Sequence, residues 1–421
     1  MSALADLCEL IIVCEHKTAP VQDEGYPSIR TPNIGRGRFL LDGVNRVSEE
    51  TYRAWTKRAV PMAGDLILAR EAPVGNVAVI PAGEQFCLGQ RTVLIRPKAH
   101  LVDSDYLCYL LLAPELQAQL LGKSGGATVH HLNMKDIRAL DMPEMPALGV
   151  QRRVALAIKN YDDLIATNQH RIALLEQAAR LLYREWFVQL RFPGHESVRV
   201  ENGLPAGWRR LTLGELCDEV PAACVQTGPF GSQLHQHDYK PDGVPVVMPQ
   251  DIVGDRIRHD KIAFVDEATA VRLDRHALQP LDIVFPRRGD IAKRALVEPH
   301  QAGYLCGTGC LKISLPPAPL HPLLLYFQLA DPTMVKWIEG QAVGATMLNL
   351  SATILKSANC LVPSADVQAR FVALASDLRA QIDLIERANI EAARARDLLL
   401  PKLMSGQLDV SRLPLPEEAM A

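Results

Sequence analysis

The sequence predicts an α+β fold in which two pseudo-repeated β-rich domains are held apart by two long antiparallel coiled-coil helices. Two observations predict this fold. First, the two halves of the 421-residue chain align with each other at a nearly constant offset. Second, each half ends in a long segment whose apolar residues have coiled-coil spacing. The length suits two or three domains, and 48% hydrophobic with 22% charged residues is an ordinary globular composition.

An internal duplication accounts for most of the chain. The aligned segments lie 217 or 218 residues apart and are GYPSIRTPNI with GVPVVMPQDI, GDLILAR with LDIVFPR, LGQRTVLI with CGTGCLKI, and QRRVALAI with QARFVALA. A Gly-Ala-Thr triplet begins at Gly126 in the first copy and at Gly344 in the second. Because the register is kept over roughly 160 residues, chance is a poor explanation, and each half is predicted to fold in the same way.

Each copy has the same order of predicted elements. Short β-type runs come first: LILAR, VAVI and TVLI in the first copy, IVFP, YLCGTG and LKISL in the second. One helical stretch follows, DYLCYLLLAPELQAQLLG or HPLLLYFQLADPTMVKWIEG, and then the Gly-Ala-Thr turn, a Pro-rich exit and the long helix. The predicted boundaries are 1–146 for the first domain, 147–190 for the first long helix, 191–207 for a linker, 208–364 for the second domain, 365–406 for the second long helix and 407–421 for a C-terminal tail.

The two long helices are predicted from an alternating spacing of four and three residues. The seam positions are Val154, Ile158, Tyr161, Ile165, Asn168, Ile172, Leu175, Ala179, Leu182 and Trp186 in the first helix, and Phe371, Ala375, Leu378, Ile382, Ile385, Asn389, Ala392, Arg396, Leu399 and Leu403 in the second. Each helix would be roughly 50 Å long. Neither could bury its seam alone, so we expect the two to pair, with Asn168 and Asn389 fixing the register. The alternative is that each helix packs on its own domain.

Several phrases resemble one known family in their order along the chain. They are GLPAGWRRLTLGEL (203–216), TGPFGSQL (227–234) followed by DGVPVVMPQDI, the Gly-Ala-Thr phrase before an apolar run and a Pro, and LLYREWFVQLRFPGHE (181–196). With the repeated domains and long helices, they resemble the specificity subunit of type I restriction–modification enzymes over nearly the whole chain. The first copy departs from this pattern. It has no clear counterpart of Thr-Gly-Pro-Phe-Gly-Ser, and its start aligns only at an offset of 209.

The resemblance implies a recognition subunit that is not itself an enzyme. Each β-rich domain would be a target-recognition domain that reads one half of a bipartite double-stranded DNA target, with the helices setting the unread spacer. The implied partners are two methyltransferase subunits docked on the long helices, and restriction–translocase subunits. No cofactor is expected on this chain; S-adenosylmethionine, ATP and Mg²⁺ are expected on the partner subunits. The alternatives are a subunit serving a methyltransferase alone, a scaffold that binds protein, and a free-standing enzyme using His or Cys chemistry.

Candidate DNA contacts are basic side chains in an acid-free stretch (25–41), next to predicted strands, and in the cluster PRRGDIAKR, with neighbouring amides and the threonines of the Gly-Ala-Thr turns. Arginine suits guanine, Asn and Gln suit adenine, and phosphates accept hydrogen bonds from all of them. In the first copy the candidates are Arg30, Asn33, Arg36, Arg38, Arg70, Gln90, Arg91 and Thr128. In the second copy they are Gln250, Arg287, Arg288, Lys293, Arg294 and Thr346. The alternative for each is a solvated charge, a local ion pair or, for the two threonines, a capped tight turn.

Other kinds of site are disfavoured by the sequence. Gly-Lys-Ser at residues 122–124 resembles the end of a phosphate-binding loop, but Gln117 stands where that motif needs Gly. No Asn-Pro-Pro-aromatic motif for base methylation is present. Cys306 and Cys310 have a spacing that could bind a metal, but buried cysteines are the default without a second pair nearby. With neither a bilayer-length apolar run nor a signal-peptide pattern, we expect a cytoplasmic protein without a membrane partner.

Overall fold

The computed structural model describes residues 2–15, 17–124, 131–230, 233–342 and 348–410. The chain divides into two compact units, one made of Met1–Arg171 with Leu384–Ala421 and the other of Ile172–Asp383. Each unit therefore contains one β-rich domain, a part of the first long helix and a part of the second.

The first unit is built on small sheets. Its strands are β1 (Ser2–Ala3), β2 (Cys8–Val13), β3 (Tyr26–Ile29), β4 (Arg46–Val47), β5 (Leu66–Ala69), β6 (Val77–Val79), β7 (Cys87–Leu88), β8 (Thr92–Pro97) and β9 (Asp141–Met142). Its helices are α1 (Glu49–Trp55), α2 (Ser104–Leu112), α3 (Pro114–Gly122), α4 (Met134–Arg138) and the first part of α5 (Leu148–Tyr183). The strands join in the orders β2-β8-β5-β6, β4-β3-β7 and β1-β9. The first of these sheets is antiparallel, whereas β3 and β7 are parallel.

The second unit has the corresponding elements in the same order. Its strands are β10 (Val200–Glu201), β11 (Leu204–Pro205), β12 (Arg209–Thr212), β13 (Cys224–Thr227), β14 (Tyr239–Lys240), β15 (Val244–Val247), β16 (Ile252–Val253), β17 (Arg256–Ile257), β18 (Ala263–Val265), β19 (Ile283–Pro286), β20 (Ala295–Leu296), β21 (Leu305–Cys306), β22 (Cys310–Ser314) and β23 (Asn359–Val362). Its helices are α6 (Leu213–Glu219), α7 (Glu267–Arg272), α8 (Pro322–Ala330), α9 (Pro332–Gln341), α10 (Ala352–Lys356) and the first part of α11 (Ala365–Met404). The larger sheets have the orders β13-β22-β19-β20 and β14-β18-β15-β21.

The two units confirm the predicted duplication strand by strand. The antiparallel sheet β13-β22-β19-β20 repeats β2-β8-β5-β6, and the parallel pair β15–β21 repeats β3–β7. The pairing register is repeated as well, since Ile67 lies opposite Leu94 and Val284 lies opposite Lys312. The fold class is α+β, as the sequence predicts.

The helical stretch before each Gly-Ala-Thr phrase is two helices instead of one. In the first domain α2 ends before Ala113, whose ψ of 147° is extended, and α3 begins at Pro114. In the second domain Asp331, with ψ of 135°, separates α8 from Pro332 at the start of α9. The proline ring disfavours a helical conformation at the preceding residue, and this is the physical reason for both breaks.

In the first unit the two long helices run antiparallel. Asp162 of α5 pairs with Arg396 of α11 at 2.6 Å. Six residues further along α5, Asn168 is bonded to Asn389, which lies seven residues earlier in α11. Residue numbers therefore rise along one helix as they fall along the other, as the predicted coiled coil requires.

The second unit shows the same antiparallel order. Tyr183 at the end of α5 has its ring centroid 6.4 Å from that of Phe371, near the start of α11. Ala179, which precedes Tyr183 in α5, and Ile382, which follows Phe371 in α11, line one cavity. Every predicted seam residue in both helices is buried or half-buried, which confirms the spacing. The alternative, that each helix packs on its own domain, is partly right too, because Phe371 also lies in the core of the second domain.

A buried glutamine fixes the first turn of each long helix to its own domain. Gln151 is fully buried, and its Nε2 donates to Leu101 O at 3.0 Å and to Pro146 O at 2.8 Å. Its Oε1 accepts from Asp103 N at 2.8 Å. Gln368 makes the equivalent three bonds, to Pro319 O, Pro363 O and His321 N. The repeated polar latch explains why both copies carry glutamine at this point in an otherwise apolar helix face.

Candidate nucleic-acid interface

Arg70 and Arg287 occupy the same backbone position in the two domains. Arg70 N donates to Arg91 O at 2.9 Å, and Arg287 N donates to Gly309 O at 2.7 Å. The carbonyl of each arginine then accepts from the amide of a leucine that follows the Gly-Ala-Thr phrase: Leu132 in the first domain and Leu350 in the second. The alignment made from sequence is therefore also a structural equivalence. It defines an equivalent edge in each domain, which we call the shared edge.

In the first domain this edge carries a chain of polar contacts among Arg70, His131, Glu71 and Arg91, which we name the Arg91 group. Arg70 is 7% exposed, and its Nε donates to the Leu132 carbonyl at 2.8 Å. Its Nη2 lies 2.6 Å from His131 Nε2, and His131 Nδ1 lies 2.7 Å from Glu71 Oε1. Arg91 Nε completes the chain at 3.0 Å from Glu71 Oε2. Arg70 is thus held by protein atoms, while Arg91 lies at the outer end.

Two more predicted contacts lie beside the Arg91 group. Arg30 packs against Gly89, since a Cβ built on that glycine would lie 2.5 Å from Arg30 Cγ. Gln90 is half-buried between Gly89 and Arg91. Asn33 follows Arg30, but its side chain serves the local turn: Oδ1 accepts from Arg30 N at 3.1 Å, and Nδ2 donates to a carbonyl at 3.2 Å.

Arg36 and Arg38 contact the helices and not the Arg91 group. Arg36 Nη2 donates to the carbonyl of Leu112, at the end of α2, at 3.0 Å. Arg38 Nη1 donates to Gln169 Oε1 on α5 at 2.9 Å. These contacts give both arginines a role in holding the loop between β3 and β4 against the helices of the first unit.

The second domain has a different set of side chains at the shared edge, which we name the Arg287 group: Phe230, Gln233, Arg272, Arg275 and Arg287. Arg287 Cζ lies 5.6 Å from the ring centroid of Phe230, a cation–π contact, and Phe230 is 55% exposed. Gln233 Oε1 accepts from Phe230 N and from Arg275 Nη2, both at 3.3 Å. Arg272 Nη1 donates to Gln233 O at 2.6 Å. Arg287 thus contacts Phe230, while Arg272 and Arg275 both contact Gln233.

The other predicted contacts of the second copy divide between this edge and the interior. Arg288 is exposed next to Arg287, and its backbone forms an antiparallel β-bridge with Asn349. Gln250 is exposed in the short turn after β15. Lys293 is exposed and lies 3.5 Å from Asp290. Arg294 is 7% exposed, with Nη2 3.6 Å from Asp255 and Cζ 5.7 Å from the Tyr326 ring centroid. Burial and these contacts make Arg294 a packing residue of the second unit. Thr128 and Thr346 lie outside the described residues.

Sequence reasoning missed several residues of this edge. Glu71, His131, Phe230, Arg272 and Arg275 were not among the candidates. An available signal was the internal alignment, because Lys57 and Arg275 are 218 residues apart and both are exposed just after the short helices α1 and α7. A basic residue present in both copies is the pattern that had already singled out Arg70 and Arg287.

The structure also supplies the missing counterpart of Thr-Gly-Pro-Phe-Gly-Ser. Gly228 N donates to Cys310 O at 2.9 Å, and Cys14 N donates to Thr92 O at 3.1 Å. Thr92 and Cys310 are equivalent in the duplication, so Cys14 takes the place of Gly228. The segment after β2 is therefore equivalent to the motif in position, although its sequence is unrelated.

Cys306 and Cys310 are free and buried thiols. Burial raises the pKa of Cys306 to about 12, which disfavours its thiolate form at neutral pH. Within the part of the chain that the structure describes, no group of three His, Cys, Asp or Glu residues could hold a metal ion. Among the described helices, none combines the length and apolarity needed to cross a membrane.

The fold and the edge together define a class of protein: a duplicated α+β chain with paired long helices and one basic edge on each domain. Residues 1–177 match the family model of the type I restriction modification DNA specificity domain. The chain is 23% identical over 381 residues to the type I restriction enzyme MjaIX specificity subunit of Methanocaldococcus jannaschii, covering 89% of this chain and 84% of that protein. It is 21% identical over 445 residues to the HindI specificity subunit of Haemophilus influenzae, covering 91% and 95%.

A solved structure agrees with these sequence relationships. The crystal structure of the type I restriction–modification system S subunit from M. genitalium has a TM-score of 0.57 to this chain at 14% identity, covering 95% of this chain and 94% of that one. At that identity the likeness shows the shared fold. The comparisons confirm the resemblance of this chain to the specificity subunits of type I restriction–modification enzymes.

Proposed function

We propose that this chain is the non-catalytic, sequence-specific DNA-recognition subunit of a type I restriction–modification complex. Each domain would read one half of a bipartite double-stranded target. The observation that carries the proposal is the equivalent position of Arg70 and Arg287, each at an edge lined by further cations. A duplicated reader with one such edge in each copy suits a target with two half-sites.

The Arg91 and Arg287 groups contain the chemistry that DNA recognition needs. Phosphate contacts supply most of the affinity, and side chains that reach base edges supply the specificity. Arg91, and Arg288 beside the Arg287 group, are exposed and can meet either kind of acceptor. The formal net charge of −3 is consistent with this role if the basic residues are concentrated at the two edges and the partner subunits share the electrostatics.

The long helices would dock two methyltransferase subunits and set the length of the unread spacer. Leucines outside the seam support a partner surface there, since Leu174 and Leu181 on α5 are 51% and 52% exposed and lie one heptad apart. On α11, Leu384 and Leu398 are 70% and 68% exposed and lie two heptads apart. S-adenosylmethionine, ATP and Mg²⁺ would be bound by the methyltransferase and restriction–translocase subunits. The complex would act in the cytoplasm, and one without the restriction subunit would use this chain in the same way.

The test is target selection by the complex. The full chain with its methyltransferase partner is given a pool of randomised duplexes, and the methylated molecules are sequenced. We expect a bipartite target, and Arg287→Ala should weaken selection of the second-domain half-site by roughly 5- to 150-fold while leaving the first intact. Arg370→Ala, an exposed arginine that pairs with Asp366 on α11, is the matched control. Equal loss at both half-sites, or no selected target in the unaltered complex, would contradict the proposal.

A further inference from the structure

Arg91 has a backbone conformation that normally belongs to glycine. Its φ is 66°, in the left-handed region, where a side chain crowds the backbone. The equivalent residue of the second domain is Gly309, with φ of 93°, as the shared bonds to Arg70 and Arg287 establish. The first copy thus keeps an arginine where glycine would be less strained. Strain of this kind at an exposed position points to a function for the side chain.

The side chain of Arg91 is held by a carboxylate that is itself held. Glu71 is only 13% exposed, and its Oε2 lies 3.0 Å from Arg91 Nε. Its other oxygen faces His131 Nδ1 at 2.7 Å. Arginine has only donors, so Arg70 Nη2 must donate to His131 Nε2, which leaves the hydrogen on Nδ1 to be donated to Glu71. Glu71 therefore accepts from His131 at one oxygen and faces Arg91 with the other.

The far end of Arg91 remains available to a ligand. The side chain is 59% exposed, and its ion pair with Glu71 is made through Nε. Within the described part of the chain, no acceptor is recorded for either Nη atom of Arg91. The two Nη groups of a guanidinium carry N–H donors that suit the O6 and N7 acceptors of guanine in the major groove.

The second domain does not repeat this arrangement. In the duplication Glu71 aligns with Arg288, Arg91 with Gly309 and His131 with Asn349. The equivalent edge there has Arg287 against the Phe230 ring. The two domains therefore offer different donors from the same backbone frame, as expected if their half-sites differ.

We propose that Arg91 determines specificity in the first domain by donating to a guanine of the first half-site, and that Glu71 and His131 are positioning residues for it. The inference rests on the proposed function and names one base pair that this function leaves open. Glu71 acts by fixing the direction of the guanidinium, so its removal should blur the base preference without removing the positive charge.

The test again uses the full chain with its methyltransferase partner and a randomised duplex pool. Arg91→Gly places glycine where the backbone favours it, so its melting temperature should equal or exceed that of the unaltered chain. Preference for guanine at one position of the first half-site should fall by roughly 5- to 150-fold, with the second half-site unchanged. Glu71→Gln should reduce the same preference more weakly. Arg53→Ala, which removes an exposed helix pair with Glu49, should change neither half-site.

The outcomes separate this inference from the function on which it rests. If the unaltered complex selects no bipartite target, both are wrong. If it selects one and Arg91→Gly keeps every base preference of the first half-site, only the inference is wrong. A lower melting temperature for Arg91→Gly, or equal loss at both half-sites, would also overturn it, because the change would then act through the fold.

Discussion

Asn168 Nδ2 donates a hydrogen bond of 2.8 Å to Asn389 Oδ1 in the first unit, joining the two long helices. Asn168 is 6% exposed and lies in a seam that is otherwise mostly apolar. In the 217-residue register of the long helices Asn168 aligns with Ile385, and Asn389 aligns with Ile172. The duplication therefore does not repeat the amide pair. The Asn168–Asn389 hydrogen bond specifies the antiparallel register of the two helices at this one position, because only this alignment satisfies both amides.

Replacing one member of this pair should be worse than replacing both. Asn168→Leu leaves the Asn389 amide in the seam without its partner, and should lower the free energy of unfolding by about 1–3 kcal/mol. The double change Asn168→Leu with Asn389→Leu should recover most of that loss, since two apolar groups then face each other. Urea unfolding of the full chain measures both. Thr167→Leu, at the exposed neighbouring position, is the control, and additive losses in the double variant would contradict the pairing.

The glutamine latch should be a second sensitive point. Gln368→Leu removes three hydrogen bonds and leaves His321 N and two carbonyls without their partner, so we expect a loss of about 2–4 kcal/mol in unfolding free energy. Hydrogen exchange should show faster opening of the first turns of α11. Gln381→Leu, on an exposed face of the same helix, is the matched control. An equal effect of the two changes would mean that the latch contributes nothing specific.

The two copies provide a matched pair of changes at the start of the β-rich domains. A Cβ on Gly228 would lie 2.0 Å from Gly307 O, so Gly228→Ala must displace the segment that leads to Phe230. We expect Gly228→Ala to lower stability by about 1–3 kcal/mol and to weaken selection of the second half-site. Cys14→Ala, at the equivalent position, should cost about 1 kcal/mol at most and leave the first half-site unchanged. Melting temperatures and methylated-pool sequencing compare the two variants. Similar outcomes would contradict the close approach of Gly228 to Gly307 as the cause of the difference.

The repeated elements could be predicted because their signals are periodic. Leu66–Ala69 and Ile283–Pro286 are apolar runs at one offset, and both are central strands of their sheets. The seam of the long helices follows from spacing alone. The helix breaks at Pro114 and Pro332 were predictable in principle, since proline restricts the residue before it. The apolar residues on both sides of each proline instead favoured one continuous helix.

The candidate site was harder to predict because the charge of a side chain does not show whether it faces solvent or packs against the rest of the protein. Arg38 and Arg294 are as basic as Arg91, but their contacts with Gln169 and Asp255 exist only in the folded chain. Phe230 reaches its cation–π contact with Arg287 because it lies in a loop whose path depends on Gly228. The correspondence of Cys14 with Gly228 rests on one backbone bond in each domain. No side-chain similarity records it, so alignment by sequence could not find it.

The central claim is that the paired helices set the distance between two half-site readers. Its most direct test is the insertion of one heptad into α5 after residue 170 together with one into α11 after residue 386, which preserves the seam spacing. Seven helical residues add roughly 10 Å, equal to about three base pairs at 3.4 Å each. Methylated-pool sequencing should then return both half-sites unchanged with a spacer about three base pairs longer. Altered half-sites with an unchanged spacer would contradict the account.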